Sequence, residues 1–301
     1  MKKLFLPVIT AIFFSGSFIA AKYTTFDLGP LTTSFLRYVV AFIFLALLIS
    51  HYKKDSLKIK KEDVPKLVLL GLFGITGYHF FFFSSLKYTL VTNTGIINAS
   101  SPVVTGLMAA IFIKERLTKK NYIGIILAFL GVLILITKGE IETFTNLNFN
   151  YGDMLMLLAV VSWVVYSLII KSLSKKYSSF TLTFYATLWG VIMLLFFALA
   201  EGGAEQVQTI SLRSVLSLLY MGIFASGIGY LFYNYGIHEL GPTKTSSLVY
   251  SIVPIFVAIL SFIFFAEGLT CPMIISVVLI IAGLNLALSK IQESEIKLTK
   301  P

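Results

Sequence analysis

Charge is scarce in this chain of 301 residues, because Asp, Glu, Lys and Arg make up only 13% of it. Soluble domains carry about 25% of these residues. Cys271 is the single cysteine, which excludes an intramolecular disulfide and a metal site built from cysteines. The three histidines, His51, His79 and His238, lie far apart in the sequence, and no paired carboxylates lie deep in apolar segments. No catalytic constellation is visible, so we predict no enzyme activity, no metal and no cofactor.

Apolar residues, in contrast, make up 57% of the chain. They form ten segments, each long enough or nearly long enough to cross about 30 Å of hydrocarbon as an α-helix. We call these segments spans 1 to 10, and they cover residues 4–22, 30–50, 66–86, 90–113, 121–137, 153–171, 180–200, 214–236, 243–265 and 273–289. The pattern predicts an all-α, polytopic membrane protein with ten transmembrane helices in a lipid bilayer. Span 1 is expected to be a true span rather than a cleaved signal peptide.

The net charge of +10 would suggest a nucleic-acid partner in a soluble protein. Here the basic residues lie mainly in short loops between the spans. If the N-terminus is cytoplasmic, 18 of the 24 Lys and Arg residues lie on the cytoplasmic side and four on the other. Positive charge collects in cytoplasmic loops. We therefore predict a multi-pass protein of the plasma membrane with both termini in the cytoplasm and no nucleic-acid partner.

The chain contains an internal duplication with a fixed offset of 152 residues. Eleven identical pairs carry it: Gly77/Gly229, Tyr78/Tyr230, Phe80/Phe232, Pro102/Pro254, Phe112/Phe264, Glu115/Glu267, Leu117/Leu269, Thr118/Thr270, Leu127/Leu279, Gly131/Gly283 and Lys138/Lys290. The predicted repeats are residues 1–139 and 151–290, with five spans each. Five is odd, so the second repeat is expected to be inverted in the membrane. Inverted repeats are typical of secondary transporters, which bind their substrate near the midplane.

Two prolines lie near the middle of spans 4 and 9. Pro102 and Pro254 each remove a backbone donor, which frees the carbonyl groups of Asn98 and Tyr250. A run of polar residues precedes each proline, and such residues are expected to face inward rather than toward lipid. The favoured interpretation is a kink that lines a central cavity and can hinge. A static kink satisfied by neighbouring hydroxyl groups is the alternative.

Ionisable residues inside spans are expensive and often functional. Arg37 in span 2 could hold a substrate carboxylate or pair with a helix C-terminus. His79 in span 3 could carry protons or be a hydrogen-bonded packing residue. Lys244, at the start of span 9, could attract an anionic or zwitterionic ligand or simply extend to the interface. Glu267, like its repeat counterpart Glu115, lies at a helix–helix turn, where a structural role is favoured over proton coupling.

Aromatic side chains at helical spacing usually form packing or an interfacial belt, but some are expected to line the cavity. The full set of predicted cavity residues is Tyr78, His79, Asn98, Ser101, Pro102, Trp163, Tyr166, Tyr230, Asn234, Lys244, Tyr250 and Pro254. Arg37, Glu115 and Glu267 are the predicted charge partners. Small residues in spans 5 and 10 predict close helix packing and, as a weaker hypothesis, a homodimer through these two helices.

These motifs resemble those of the EamA family of the drug/metabolite transporter superfamily. The resemblance rests on Pro102, Glu115-Arg-Leu-Thr118 and Gly131, and on Pro254, Glu267-Gly-Leu-Thr270 and Gly283, with Trp163 in the helix that opens the second repeat. It implies export of amino acids or other small metabolites by alternating access. Relatives that carry nucleotide sugars, sugar phosphates, drugs or lipids are the alternative. In such proteins helices 1, 3, 4, 6, 8 and 9 surround the cavity, so span 2 with Arg37 is expected to be peripheral.

Overall fold

The computed structural model describes residues 2–49, 57–113, 119–140 and 149–298, and within these ranges every regular element is helical. Seven helical stretches are long and apolar enough to cross a membrane: Phe5–Thr24, Pro30–Leu48, Lys61–Ser85, Tyr151–Leu173, Ser179–Ala200, Leu212–Leu240 and Pro242–Phe265. They correspond to predicted spans 1, 2, 3, 6, 7, 8 and 9. The chain is thus a polytopic all-α membrane protein.

The other three predicted spans are also helical. Span 4 consists of two helices, Val91–Asn98 and Ser101–Ile113. Span 5 is the helix Lys119–Ile136, and span 10 is the helix Cys271–Leu298. The apolar parts of these last two helices are shorter than the seven long stretches, so the count of ten membrane crossings stays a prediction. A short helix, Gly203–Gln208, joins spans 7 and 8.

Spans 4 and 9 are interrupted at equivalent places. Span 9 consists of Pro242–Tyr250 and Val253–Phe265, so its break follows that of span 4 at the predicted offset. Each proline is the second residue of the helix after the break, where its missing N–H removes no helical hydrogen bond. The Ser101 hydroxyl donates to the Asn98 carbonyl at 2.7 Å. The predicted interruption is confirmed, while hinge motion stays a prediction.

Spans 3 and 8 each contain a π-helical segment. In span 3, Val64–Leu70 leads into the π-helix Gly71–Gly77 and then Tyr78–Ser85. In span 8, the elements in the same order are Leu212–Tyr220, Met221–Gly229 and Tyr230–Leu240. The two π-helices end at Gly77 and Gly229, which are an identical pair of the duplication. Such segments are frequent at functional sites, and here each one delivers a tyrosine to the centre of the protein.

The two predicted repeats exchange one helix with each other. Span 3 packs against spans 6 and 7 of the second repeat, whereas span 8 packs against spans 1 and 2 of the first. Glycines permit both approaches. A Cβ atom on Gly71 would lie 2.7 Å from the Trp189 Cβ, and one on Gly222 would lie 2.5 Å from the Val40 Cγ1. We call this arrangement the exchanged packing.

Spans 5 and 10 pack closely against each other, as the small residues predict. A Cβ atom on Gly131 would lie 2.9 Å from the Ser276 carbonyl oxygen, and one on Gly283 would lie 2.5 Å from the Gly124 carbonyl oxygen. The small-residue faces are therefore in contact within one chain. A homodimer through these helices stays a prediction, and it would use their other faces.

Short polar contacts join the repeats at both ends of the bundle. At one end, the Asp27 carboxylate accepts hydrogen bonds from the hydroxyl groups of Ser211 and Ser214, each at 2.5 Å. These bonds hold the pKa of Asp27 below its usual value. At the other end, Lys176 donates to Asp63 at 3.1 Å, and this bond raises the pKa of Lys176. The first contact links the loop after span 1 to the start of span 8. The second links the loop after span 6 to the start of span 3.

Candidate functional site

A small polar and aromatic pocket lies at the centre of the bundle, where spans 1, 2, 3, 6, 8 and 9 meet. Its lining residues are Phe14, Ser17, Phe18, Arg37, Tyr78, His79, Phe82, Trp163, Tyr230 and Tyr250. We call it the central pocket. Its volume is about 20 Å³, which is room for about one water molecule. In this conformation the pocket is too small for a metabolite, which could bind only after the helices move apart.

Arg37 is the one charged side chain among the described residues that line the central pocket, and it is only 3% exposed. Its Nε donates to the Ser226 hydroxyl at 2.6 Å, and its Nη1 lies 3.7 Å from the Met221 sulfur. The ion pairs found in the described residues involve Glu62, Asp63 and Glu239, and none includes Arg37. A buried guanidinium without a carboxylate is an uncompensated charge, which is costly.

Ser17 lines the same pocket and is 4% exposed. Ser15, on the same helix, donates instead to the Ala11 carbonyl at 2.7 Å. A serine hydroxyl can donate one hydrogen bond and accept others. Because Ser17 lines the pocket beside Arg37, its hydroxyl can contribute to ligand binding there.

The aromatic residues form the walls of the central pocket and are locked by hydrogen bonds. The Trp163 and Tyr230 rings are nearly perpendicular, with centroids 5.1 Å apart. The indole N–H of Trp163 donates to the Tyr233 hydroxyl at 3.0 Å. The Tyr230 hydroxyl donates to the carbonyl of Gly74 at 3.0 Å. Gly74 lies in the π-helix of the other repeat. Such bonds fix the polar ends of aromatic side chains at depth.

His79 is 1% exposed and is satisfied as a neutral imidazole. Its Nδ1 lies 3.0 Å from the Ile75 carbonyl, to which it can donate, and the Tyr38 hydroxyl lies 3.3 Å from its Nε2. Both ring nitrogens of a neutral histidine therefore have a partner. The geometry accounts for His79 as a hydrogen-bonded residue of the pocket wall, and its role in proton transfer stays a prediction.

Four predicted cavity residues lie directly behind this wall. Tyr166 donates to the Asn234 side-chain oxygen at 3.0 Å. The Asn98 amide reaches the Tyr78 hydroxyl at 3.5 Å, and Ser101 donates to the Asn98 side-chain oxygen at 3.1 Å. These residues support the lining side chains and do not themselves line the central pocket.

The predicted residues therefore fall into three groups: residues that line the central pocket, residues behind its wall, and residues that lie elsewhere. Those that line the central pocket are Tyr78, His79, Trp163, Tyr230 and Tyr250, joined by Arg37. Span 2 is consequently not peripheral at this depth, because the exchanged packing brings it against span 8. Lys244 lies half-buried in the first turn of Pro242–Tyr250, away from the pocket, and Pro102 is buried outside its lining. Glu115 lies outside the described residues.

Pro254 lines a different cavity, an apolar groove of about 700 Å³ between spans 9 and 10. The groove is bordered by side chains such as Ile259, Phe262 and Ile274 and contains no ionisable group. Such a surface is typical of a face exposed to lipid. The groove is much larger than the central pocket, but it offers no chemistry that could recognise a polar metabolite.

Glu267 makes hydrogen bonds of the kind expected for the structural role favoured for it, while its part in proton coupling stays untested. Its carboxylate accepts the backbone N–H groups of Val91 at 3.1 Å and Thr92 at 2.9 Å, together with the Thr92 hydroxyl at 2.8 Å. An acidic group at a helix N-terminus satisfies free donors and favours the helix dipole. Asp153 and Lys22 hold the preceding turn, through the Thr89 hydroxyl at 2.6 Å and the carbonyl of residue 86 at 2.5 Å. Glu267, Asp153 and Lys22 form what we call the span 4 clamp.

A second carboxylate makes the same kinds of hydrogen bond at the start of span 2. Glu201, at the end of span 7, accepts the N–H groups of Leu31 at 3.3 Å and Thr32 at 2.7 Å, and the Thr32 hydroxyl at 2.8 Å. It caps span 2, which ties the two repeats together away from spans 4 and 9. The sequence did not single out this residue because it has no identical partner in the duplication.

Sequence reasoning also missed Ser17, Phe18 and Asp153. The first two lie on one face of span 1 with Phe14, at the spacing of three and four residues that marks a helix face. That spacing could have identified Ser17 and Phe18 from the sequence as candidates for the same face as Phe14. In the part of the chain that is described, no cluster of three or more His, Cys, Asp or Glu residues could hold a metal ion.

A model of the EamA-like transporter family matches this sequence twice, over residues 1–137 and 150–289. The chain belongs to the EamA-like transporter family. The resemblance of its motifs is thereby confirmed, and the family and the names of its relatives indicate a transporter rather than an enzyme.

Two relatives of this EamA-like protein are transporters without a described substrate. YyaM of Bacillus subtilis, an uncharacterized transporter, is 32% identical over 255 residues, which cover 84% of this chain and 82% of YyaM. An uncharacterized transporter of Archaeoglobus fulgidus is 32% identical over 285 residues, 95% of this chain and 96% of the relative.

A third relative has a substrate in its name. It is a probable terminal-alkyne amino-acid exporter of Streptantibioticus cattleyicolor, 24% identical over 260 residues, which cover 86% of this chain and 84% of the relative. A crystal structure of another protein matches the fold with a TM-score of 0.66 at 18% identity, over 95% of this chain and 96% of that one.

Proposed function

We propose that this EamA-like protein is a secondary transporter that exports amino acids or related zwitterions across the plasma membrane. The observation that carries the proposal is the central pocket, in which a buried arginine and a serine lie among aromatic side chains. A small molecule with a carboxylate and an apolar part fits this chemistry. The name of the Streptantibioticus cattleyicolor relative, a probable terminal-alkyne amino-acid exporter, supports the same class.

The proposed mechanism is alternating access by two inverted repeats, residues 1–139 and 151–290, with both termini in the cytoplasm. The conformation with the small central pocket serves as the contracted state, which has to expand to bind substrate. The interruptions of spans 4 and 9 allow the half-helices on either side to move separately, so that one end of the pocket opens at a time. Because of the exchanged packing, the moving bodies contain helices from both repeats.

The experiment that tests the proposal is efflux from proteoliposomes loaded with a mixed pool of amino acids and related metabolites, with and without a pH gradient. We expect one chemical class to leave faster than from liposomes without protein, and to saturate. If no amino acid leaves faster under either condition, the amino-acid proposal fails. Nucleotide sugars, sugar phosphates, drugs and lipids are then the pools to load next.

A further inference from the structure

Within the part of the chain that the structure describes, the lining of the central pocket has charge of one sign only. The ten described lining residues include Arg37 and no carboxylate. We propose that the pocket recognises its substrate through a carboxylate group, bound by Arg37 and Ser17, and that it does not require the substrate's ammonium group. The inference rests on the proposed transport function, and it widens the substrate class from zwitterions to apolar monocarboxylates.

The geometry of Arg37 favours a carboxylate as its ligand. A guanidinium has five N–H donors in a planar fork, which matches the two oxygens of a carboxylate. Among the residues described, only the Ser226 hydroxyl and the Met221 sulfur accept from Arg37, through Nε and Nη1. The charge is therefore held in place by Ser226 but not neutralised. A ligand carboxylate would neutralise it, and the hydroxyl of Ser17, which lines the same pocket, could donate one more hydrogen bond.

Among its described lining residues, the central pocket has no acidic side chain that could bind an ammonium group as Arg37 could bind a carboxylate. An ammonium group has three N–H donors and a positive charge, and burying it is costly unless acidic or acceptor groups replace water. The pocket offers it mainly aromatic rings, while Arg37 would repel it. An aromatic face attracts a cation only modestly. A carboxylate with an apolar body is thus sufficient for binding, with or without an amino group.

The protein carries its own reporter for this binding. Trp163 lines the central pocket, and the second of the two tryptophans, Trp189, lies outside the pocket lining. The buried Trp189 indole N–H has no hydrogen-bond partner among the described residues, so Trp189→Phe removes none of the hydrogen bonds seen there. The fluorescence of the full-length W189F protein in detergent then reports on Trp163 alone.

Three probes distinguish the contribution of the carboxylate to binding from that of the ammonium group. Leucine has both groups, 4-methylpentanoate lacks the amino group, and 3-methylbutylamine lacks the carboxylate. We expect leucine and 4-methylpentanoate to change the Trp163 emission with affinities within about threefold of each other, and the amine to give no change at the same concentrations. Arg37→Gln should weaken both carboxylates by about tenfold or more, as expected for hydrogen bonds to a charged group.

Two further variants keep the test informative if R37Q folds poorly. Arg37→Lys retains the charge but not the fork and should weaken binding less, and Ser17→Ala should weaken it by about threefold. The matched control is Arg213→Gln, because Arg213 is exposed at the start of span 8 and does not line the central pocket. R213Q should leave the affinities unchanged.

The inference is overturned if the amine binds as tightly as leucine, or if both carboxylates bind R37K and R37Q as they bind the parent protein. It is also overturned if a member of the efflux pool is transported while neither carboxylate binds. Binding of the carboxylates without accelerated efflux of any pool member would instead overturn the proposed function and leave the binding site standing.

Discussion

Removing the Glu267 carboxylate should open the protein at the predicted outer face. The carboxylate joins the end of span 9 to the start of span 4 through three hydrogen bonds of 2.8, 2.9 and 3.1 Å. A hydrogen bond to a charged group contributes about 1.5–3 kcal/mol, and losing an N-terminal cap costs about 0.5–2 kcal/mol. Because Glu267 is partly exposed, water replaces some of these bonds in Glu267→Ala. We estimate a net cost of about 1–3 kcal/mol to the closed state.

This cost becomes a change in population. A loss of 2 kcal/mol raises the fraction of open molecules by about 30-fold, provided that the open state lacks these bonds. The assay is labelling of a cysteine in place of Ser17, in a background in which Cys271, the only natural cysteine, is serine. A membrane-impermeant maleimide added outside should then react about 5- to 100-fold faster in E267A. Glu267→Gln keeps one acceptor oxygen and should show a smaller increase.

Glu201→Ala is the matched control, because Glu201 makes the same three kinds of hydrogen bond to Leu31 and Thr32. It should lower the thermal stability by a similar amount without accelerating labelling of the pocket. Equal labelling rates in E267A and E201A, or no acceleration in E267A, would refute the idea that the span 4 clamp controls access.

Three further predictions concern the hinge, the membrane orientation and the pH dependence of stability. Replacing Pro102 or Pro254 with Ala should slow transport without affecting membrane insertion, and parental rates in both variants would contradict the hinge. Cys271 is exposed, so an impermeant maleimide should label it in intact cells; protection until the cells are permeabilised would reverse the predicted orientation. The pKa of Asp27 is lowered in the folded protein by hydrogen bonds from serines that include Ser211. Its stabilising effect is therefore complete above the usual Asp value of about 4 and is lost as the pH falls through the lower folded value. In Asp27→Asn the melting temperature should be lower at neutral pH and should lose this acid dependence; an unchanged acid dependence would contradict the assignment.

The sequence predicted the helical architecture and its local features because these depend on nearby residues. Apolar runs located the spans, and each proline marked the start of a half-helix in spans 4 and 9. The offset of the duplication also matches the two π-helices, although only Gly77 and Gly229 hinted at them. Local chemistry likewise favoured a structural role for Glu267 at its helix–helix turn.

The composition of the central pocket was less accessible to sequence reasoning, because it depends on which helices meet. Arg37 reaches the centre only because span 8 crosses to the first repeat and brings Ser226 against span 2. Apolar periodicity does not encode that crossing. For the same reason, Ser17 was indistinguishable from other small polar residues of a span, and Glu201 from an ordinary loop carboxylate.

The exchanged packing also constrains how such a chain is made and how it arose. During synthesis, span 3 enters the membrane before spans 6 and 7 have been translated. The glycine face of span 3 therefore stays unpacked until these later helices are inserted. A five-helix fragment would leave that face uncovered. Two identical fragments inserted in opposite directions could cover each other by trading their third helices. Fusion of two such domain-swapped subunits into one gene would produce the helix exchange seen in this single chain.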